Sequence, residues 1–163
     1  AYMDVYDISA VAMVEGMKEL GLMKGDAREA VAAGAHALFY PHGLGHMMGL
    51  DVHDMENFGE RWVGYAGKEK STQFGRKSQR LAIPLEPGFV FTVEPGVYFI
   101  PELIDLWQKE RRFEEFINYG VVDTYRDFGG IRNEEDWLIT DDGARRLGKR
   151  IPLTPDEVEA EHC

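Results

Sequence analysis

The sequence predicts a single α+β domain. Three observations predict it: one segment with helical periodicity near the start, several apolar runs too short for helices and bounded by proline or glycine, and an irregular order of the two. With 163 residues the chain can enclose one core and is too short for two. Its 44% hydrophobic and 12% aromatic content exclude a disordered chain.

The elements follow in order. From Val5 to Leu20 the residues Val5, Ile8, Ala12, Met13, Met17 and Leu20 have helical spacing, with Asp4 and Asp7 in the first turn and Gly21 and Gly25 as stops. Asp26 to Ala33 predicts a short second helix, and Ala37 to Tyr40 a brief strand ending at Pro41. The segment His42 to Asp54 holds Gly43, Gly45 and Gly49, a density that favours extended or looped backbone. Glu60 to Gln79 is charged, glycine-rich and aperiodic, as expected of an exposed loop. The turn Glu86-Pro87-Gly88 launches a strand at Phe89 to Val93, which Glu94-Pro95-Gly96 interrupts before Val97 to Ile100. Pro101 suits the first turn of a helix reaching Asn118. Strands are expected at Gly120 to Tyr125 and Ile131 to Thr140, and Thr154-Pro155-Asp156-Glu157 can start a last helix.

Charge and cysteine content narrow the function classes. The net charge is −11, from 18 basic and 29 acidic residues, and the basic residues form no stripe. Nucleic acid is therefore excluded as a partner. No run approaches the ~20 apolar residues of a membrane span, so no membrane partner is expected. The only cysteine is Cys163, which rules out an internal disulfide and a cysteine-ligated zinc cluster. A reducing cytoplasm fits that usage, and the first residues lack a signal peptide's basic start and apolar stretch.

The chemistry is concentrated in three histidines within twelve residues, His42, His46 and His53, and in two carboxylates, Glu94 and Glu134. In extended backbone His42 and His46 leave the chain roughly 13 Å apart, from ~3.3 Å per residue. One ion with ~2 Å bonds cannot span that without a sharp bend, so one of them is expected at a metal and the other on the substrate side. His36, beside a small apolar strand with no acidic neighbour, reads as structural. Glu94 ends an apolar run, where a carboxylate must be paired, hydrogen-bonded or on a metal. Glu86 shares its Glu-Pro-Gly context and reads as a turn residue. Alternation on the last strand puts Arg132, Glu134 and Asp136 on one face. Arg132 is then either a surface ion pair worth under ~1 kcal/mol or a clamp that orients a ligating carboxylate.

The order His-Gly-Leu-Gly-His-x-x-Gly-Leu-Asp-Val-His-Asp from His42, then Glu-Pro-Gly-x-x-x-Thr-Val-Glu-Pro-Gly-x-Tyr from Glu86, then Gly-Ile-Arg-x-Glu-x-Asp from Gly130, resembles the aminopeptidase P and prolidase branch of the pita-bread metallopeptidases. The resemblance runs from about Tyr2 to Leu147 and implies part of a pita-bread fold, an antiparallel curved sheet with flanking helices. It implies His46, Glu94 and Glu134 as metal ligands, Glu134 bridging two divalent ions. It places His42 and His53 on the substrate side, Tyr98 near the site and Arg132 behind the ligands, and it makes Glu94 also the proton acceptor. Manganese is the family's usual ion, with zinc or cobalt suiting the same ligands. The implied substrate is a proline-containing di- or oligopeptide cleaved at the Xaa-Pro bond, and the implied parent a homodimer.

Two aspartate ligands of the family, the first in an Asp-x-Gly element, have no counterpart here, because Asp4 and Asp7 fall within or beside the first helix. Asn133 replaces the usual apolar residue before Glu134. The expectation is that residues 1–163 form the C-terminal part of one catalytic domain, with an incomplete site and no activity alone. The competing reading is a peptide- or protein-binding module that keeps the fold without the metal chemistry.

Overall fold

A computed structural model of the protein describes residues 1–161, so Cys163 lies outside them. Helix α1, Tyr2–Glu19, buries Tyr2, Tyr6, Ala10, Val14 and Met17. That stripe advances by four residues and then three, so it stays on one face of the helix. It is not the expected face: Ile8 and Leu20 are exposed, and tyrosines take the core positions. A tyrosine can be buried when its polar tip finds a partner. Here Tyr2 donates to the carbonyl of Thr92 at 2.5 Å, and the Tyr6 hydroxyl meets His36 Nε2 at 2.9 Å. Burial pushes the Tyr6 hydroxyl up to about 12 and His36 down to about 4. His36 is thus part of the core, as its sequence context suggested.

Helix α2, Ala27–Ala33, starts at Asp26, whose carboxylate accepts from the Glu29 N–H at 2.9 Å, and ends at Gly34 in the left-handed region. The expected strand from Ala37 to Tyr40 is instead a 3-10 turn at Ala35–Leu38 followed by two aromatic residues. All six residues from Ala35 to Tyr40 are buried. An apolar run enclosed on every side has no period that separates strand from helix.

The strands are β1 (Val90–Val93), β2 (Gly96–Tyr98), β3 (Gly130–Arg132), β4 (Glu135–Thr140) and β5 (Gly143–Arg146). They pair antiparallel in the order β1-β4-β5 and, separately, β2-β3. The expected single strand Ile131–Thr140 is therefore broken at Asn133 and Glu134, opposite the break that Glu94 and Pro95 make between β1 and β2. One register runs through both breaks. Stepping inward from the Val93–Glu135 pair, or twice from the Gly96–Arg132 pair, leads to the same result: Glu94 stands across from Glu134. Strand β5 was not expected, although the two acidic residues at its turn, Asp141-Asp142, are a hairpin signal.

On the other edge of β1 the glycine-rich segment runs as an irregular strand. Thr92 donates to the His46 carbonyl at 3.0 Å, Glu94 to Leu44 at 2.8 Å, and Met48 to Val90 at 2.9 Å. The region 60–79 is more than an exposed loop. It contains α3 (Glu60–Val63) and a 3-10 turn at Arg76–Ser78, and it buries Tyr65 and Gln79.

Helix α4, Pro101–Lys109, stops short of Asn118 because Arg111 and Phe113 take left-handed φ values of 53° and 52°. Trp107 and Phe113 are six residues apart, off a common helix face. Their rings reach 5.3 Å only because the chain turns back. Residues 120–125, expected as a strand, are helical instead: α5 (Tyr119–Val122) runs into a 3-10 turn. Val122 is fully buried there, so packing overrides the strand preference of the Val-Val pair. Helix α6, Pro155–Glu161, follows the Thr154 cap as expected. Among the described residues no helix is long and apolar enough to cross a membrane.

Candidate metal centre

The interrupted ribbon and the segment on its edge bring the sequence-marked residues to one place. Ligand atoms of His46, Glu94 and Glu134 all lie within 4.8 Å of one another. His46 comes from the irregular strand beside β1, and the two glutamates from the facing breaks. His46 and Glu94 are buried, at 4% and 8% exposure, whereas Glu134 is exposed. A buried carboxylate and imidazole with an outer carboxylate form a nitrogen and oxygen set suited to a divalent cation.

Neighbouring groups orient these donors. The Nδ1 of His46 lies 2.9 Å from the Met47 carbonyl. A carbonyl only accepts, so Nδ1 carries a proton, and Nε2 is the ring atom that faces Glu94 Oε1, 3.4 Å away. The Thr92 hydroxyl accepts from the His46 N–H at 3.1 Å and donates to Glu94 Oε1 at 3.1 Å. The other oxygen of Glu94 meets the Arg132 guanidinium at 3.0 Å, and Arg132 Nε donates to the Tyr98 hydroxyl at 2.9 Å. Arg132 therefore contacts Glu94 on the facing break rather than Glu134 on its own side.

A cavity of about 280 Å³ opens beside the cluster and is lined by His42, His46, His53, Arg80, Glu94 and Arg132, together with small residues. His42 is held in the same tautomer as His46, with Nδ1 2.7 Å from the Gly43 carbonyl. Its Nε2 is buried without a partner among the described residues, and burial lowers its pKa from the usual histidine value. His42 thus presents a lone pair and is absent from the three-residue cluster. The ring of His53, an exposed residue, stands edge-on to His46 with centroids 4.3 Å apart.

Glu86 lies in an exposed turn, accepting from the Phe89 N–H at 3.1 Å. Sequence reasoning missed Thr92 and Arg80. Thr92 had a signal, being a polar residue on the same strand face as Glu94 within an apolar run. Arg80 had none; it reaches the cavity because residues 76–81 fold back, and its nearest carboxylate is Glu56 at 3.5 Å.

The chain is similar to known proteins along most of its length. Residues 4–141 match the pattern of metallopeptidase family M24. The Xaa-Pro dipeptidase of Homo sapiens is 38% identical over 157 residues, which is 96% of this chain and 30% of that protein. A probable Xaa-Pro aminopeptidase of Verticillium alfalfae is 36% identical, covering 96% of this chain and 32% of its own length. Zn-substituted aminopeptidase P of Escherichia coli, solved in complex with product, superposes with a TM-score of 0.64 at 34% identity, over 96% of this chain and 28% of that one. The chain thus spans about a third or less of the length of these relatives.

Proposed function

The chain belongs to metallopeptidase family M24, with part of the pita-bread fold of its structural relatives, and from that premise we propose that it supplies part of the active site of a Xaa-Pro peptidase. The observation that supports this reading best is the convergence of His46, Glu94 and Glu134 within 4.8 Å beside a histidine-lined cavity. These three would hold divalent cation, manganese by family habit and zinc or cobalt by donor chemistry. A pair of such ions supplies Lewis acidity at the scissile carbonyl and lowers the pKa of the attacking water.

The chain's own residues have separable tasks in this proposal. Glu94 takes up the proton of the attacking water; Arg132 holds one of its oxygens while the other turns to Thr92 and His46. His53, unrestrained by a carbonyl, donates to the oxygen that gains charge. His42 presents an Nε2 acceptor, which suits a substrate N–H better than an oxyanion. Arg80 in the cavity wall is a partner for a free carboxylate, which supports a dipeptide over a longer peptide. Three protein ligands are few for two ions, and Glu134 is exposed on the open side of the cluster. Further carboxylates from the whole protein would complete the shell, so the isolated chain is expected to be inactive. The same reading puts the parent in the cytoplasm as a homodimer.

The test is hydrolysis of Xaa-Pro and Xaa-Ala dipeptides by the whole protein and by the 163-residue chain, with and without manganese. Metal-dependent cleavage of Xaa-Pro by the whole protein alone is the expected result. Peptide binding without cleavage in the metal-loaded whole protein would establish the binding-module reading instead. Turnover by the chain alone would show that three protein ligands suffice.

A further inference from the structure

The segment that bears His42 and His46 is fixed at its centre from two sides. On one side the Leu44 carbonyl accepts from the Glu94 N–H at 2.8 Å. On the other the Leu44 N–H donates to Gln79 Oε1 at 2.6 Å, while Gln79 Nε2 donates to the Leu81 carbonyl at 2.6 Å. Gln79, Leu44 and Leu81 are all fully buried. The carboxamide is therefore satisfied at both ends where no water competes. The Gln79 backbone is anchored as well, its carbonyl accepting from the Tyr65 hydroxyl at 2.7 Å. The approach is so close that a side chain at Gly43 would meet Gln79 Cα at 2.7 Å and Oε1 at 2.8 Å.

We propose that Gln79 is a positioning residue of the site, whose carboxamide holds Leu44 and thereby sets the offset that sends His46 to the metal ligands and His42 to the cavity wall. The division matters because the two histidines are chemically alike: each is tied through Nδ1 to a backbone carbonyl and offers Nε2. Only their placement gives them different roles, and Leu44 lies midway between them, so a shift of Leu44 moves both. A side chain of similar length without the amide would leave the Leu44 N–H and the Leu81 carbonyl buried and unpaired. The segment would then move to satisfy them. The metal part of this inference rests on the proposed function, whereas the placement of the rings does not.

The experiment compares wild type, Gln79→Met and Tyr65→Phe at a temperature where each is folded by circular dichroism. Manganese affinity is taken from calorimetry on the whole protein, and imidazole placement from long-range 1H–15N spectra of the same protein without metal. Gln79→Met is expected to shift the ring resonances of both His42 and His46 and to weaken manganese binding at least about tenfold, the usual cost of losing an outer-shell support. Tyr65→Phe, which loosens the same junction without touching the carboxamide, is expected to lower the melting temperature and leave both readouts in place. Unmoved His42 and His46 resonances in Gln79→Met, or equal shifts in Tyr65→Phe, overturn the proposal. If Gln79→Met does not fold, Gly43→Ala presses on the same carboxamide from the other side and must move both rings, or the proposal fails. If wild type takes up no manganese, the metal reading fails, and the ring resonances alone decide the role of Gln79.

Discussion

Tyr2, Tyr6, Ala10 and Val14 of α1 are all closed off from solvent, whereas all three residues of β3 are exposed and every residue of β4 is only partly covered. The candidate metal centre straddles that contrast. His46 and Glu94 belong to the buried side, where Thr92 bonds to both, and the exposed Arg132 reaches in to Glu94; Glu134 belongs to the open side. The difference teaches that the three proposed ligands do not share one environment. Two of the proposed ligands, His46 and Glu94, are fixed by buried contacts, and the third, the exposed Glu134, can be changed at little cost to the fold.

The largest effect should come from the helical side. Trp107 is 1% exposed and packs against Phe74 and Phe113, so Trp107→Ala should lower unfolding free energy by about 3–5 kcal/mol. Urea denaturation measures it, and a loss as small as that of a surface change would mean that the helical layer is not the main core.

His36 gives the next largest effect and has a definite sign. Its folded pKa, about 4, lies below the unfolded value of 6.5 because burial disfavours the charged ring. The unfolded chain therefore binds the extra proton first. The contribution of His36 is intact above pH 6.5 and lost as pH falls through 4. The full shift corresponds to about 3 kcal/mol. His36→Leu should flatten the pH dependence of stability over that window, and an unchanged slope would show that His36 titrates normally.

On the site itself, Arg132→Met removes the guanidinium from Glu94 and should weaken manganese binding about 10–100-fold, read by calorimetry. The smallest effect on the fold should come from Glu134→Ala. As an exposed position it should change stability by no more than about 0.5 kcal/mol while removing a ligand. A large loss of stability there would erase the contrast between the two sides.

Much of this arrangement was legible in the sequence, for reasons that differ by region. The site was legible because its residue types are chemically costly where they stand: a glutamate closing an apolar strand and three histidines among glycines have few inexpensive explanations. The interruption by Glu94-Pro95-Gly96 was visible as a proline and glycine turn, but the matching interruption at Asn133 and Glu134 was not, since neither residue breaks a strand by itself. It follows from pairing with β1 and β2. The helix expected to reach Asn118 failed at Arg111 and Phe113, whose left-handed backbone no propensity announces. The six-residue step from Trp107 to Phe113 was the available clue. The buried face of α1 was misjudged because tyrosines look amphipathic until their partners, Thr92 and His36, are known. Arg80 and Gln79 reach the site only through folding of the 60–81 region, and composition cannot show that.

His46 and Glu134 are proposed to hold the ion, whereas His42 and His53, which line the same cavity as His46, are proposed not to. Manganese titration of wild type, His46→Ala, Glu134→Ala, His42→Ala and His53→Ala tests it most directly. Loss of binding in His46→Ala and Glu134→Ala, with binding kept in His42→Ala and His53→Ala, is the predicted result. Loss in His42→Ala with binding retained in His46→Ala would contradict it.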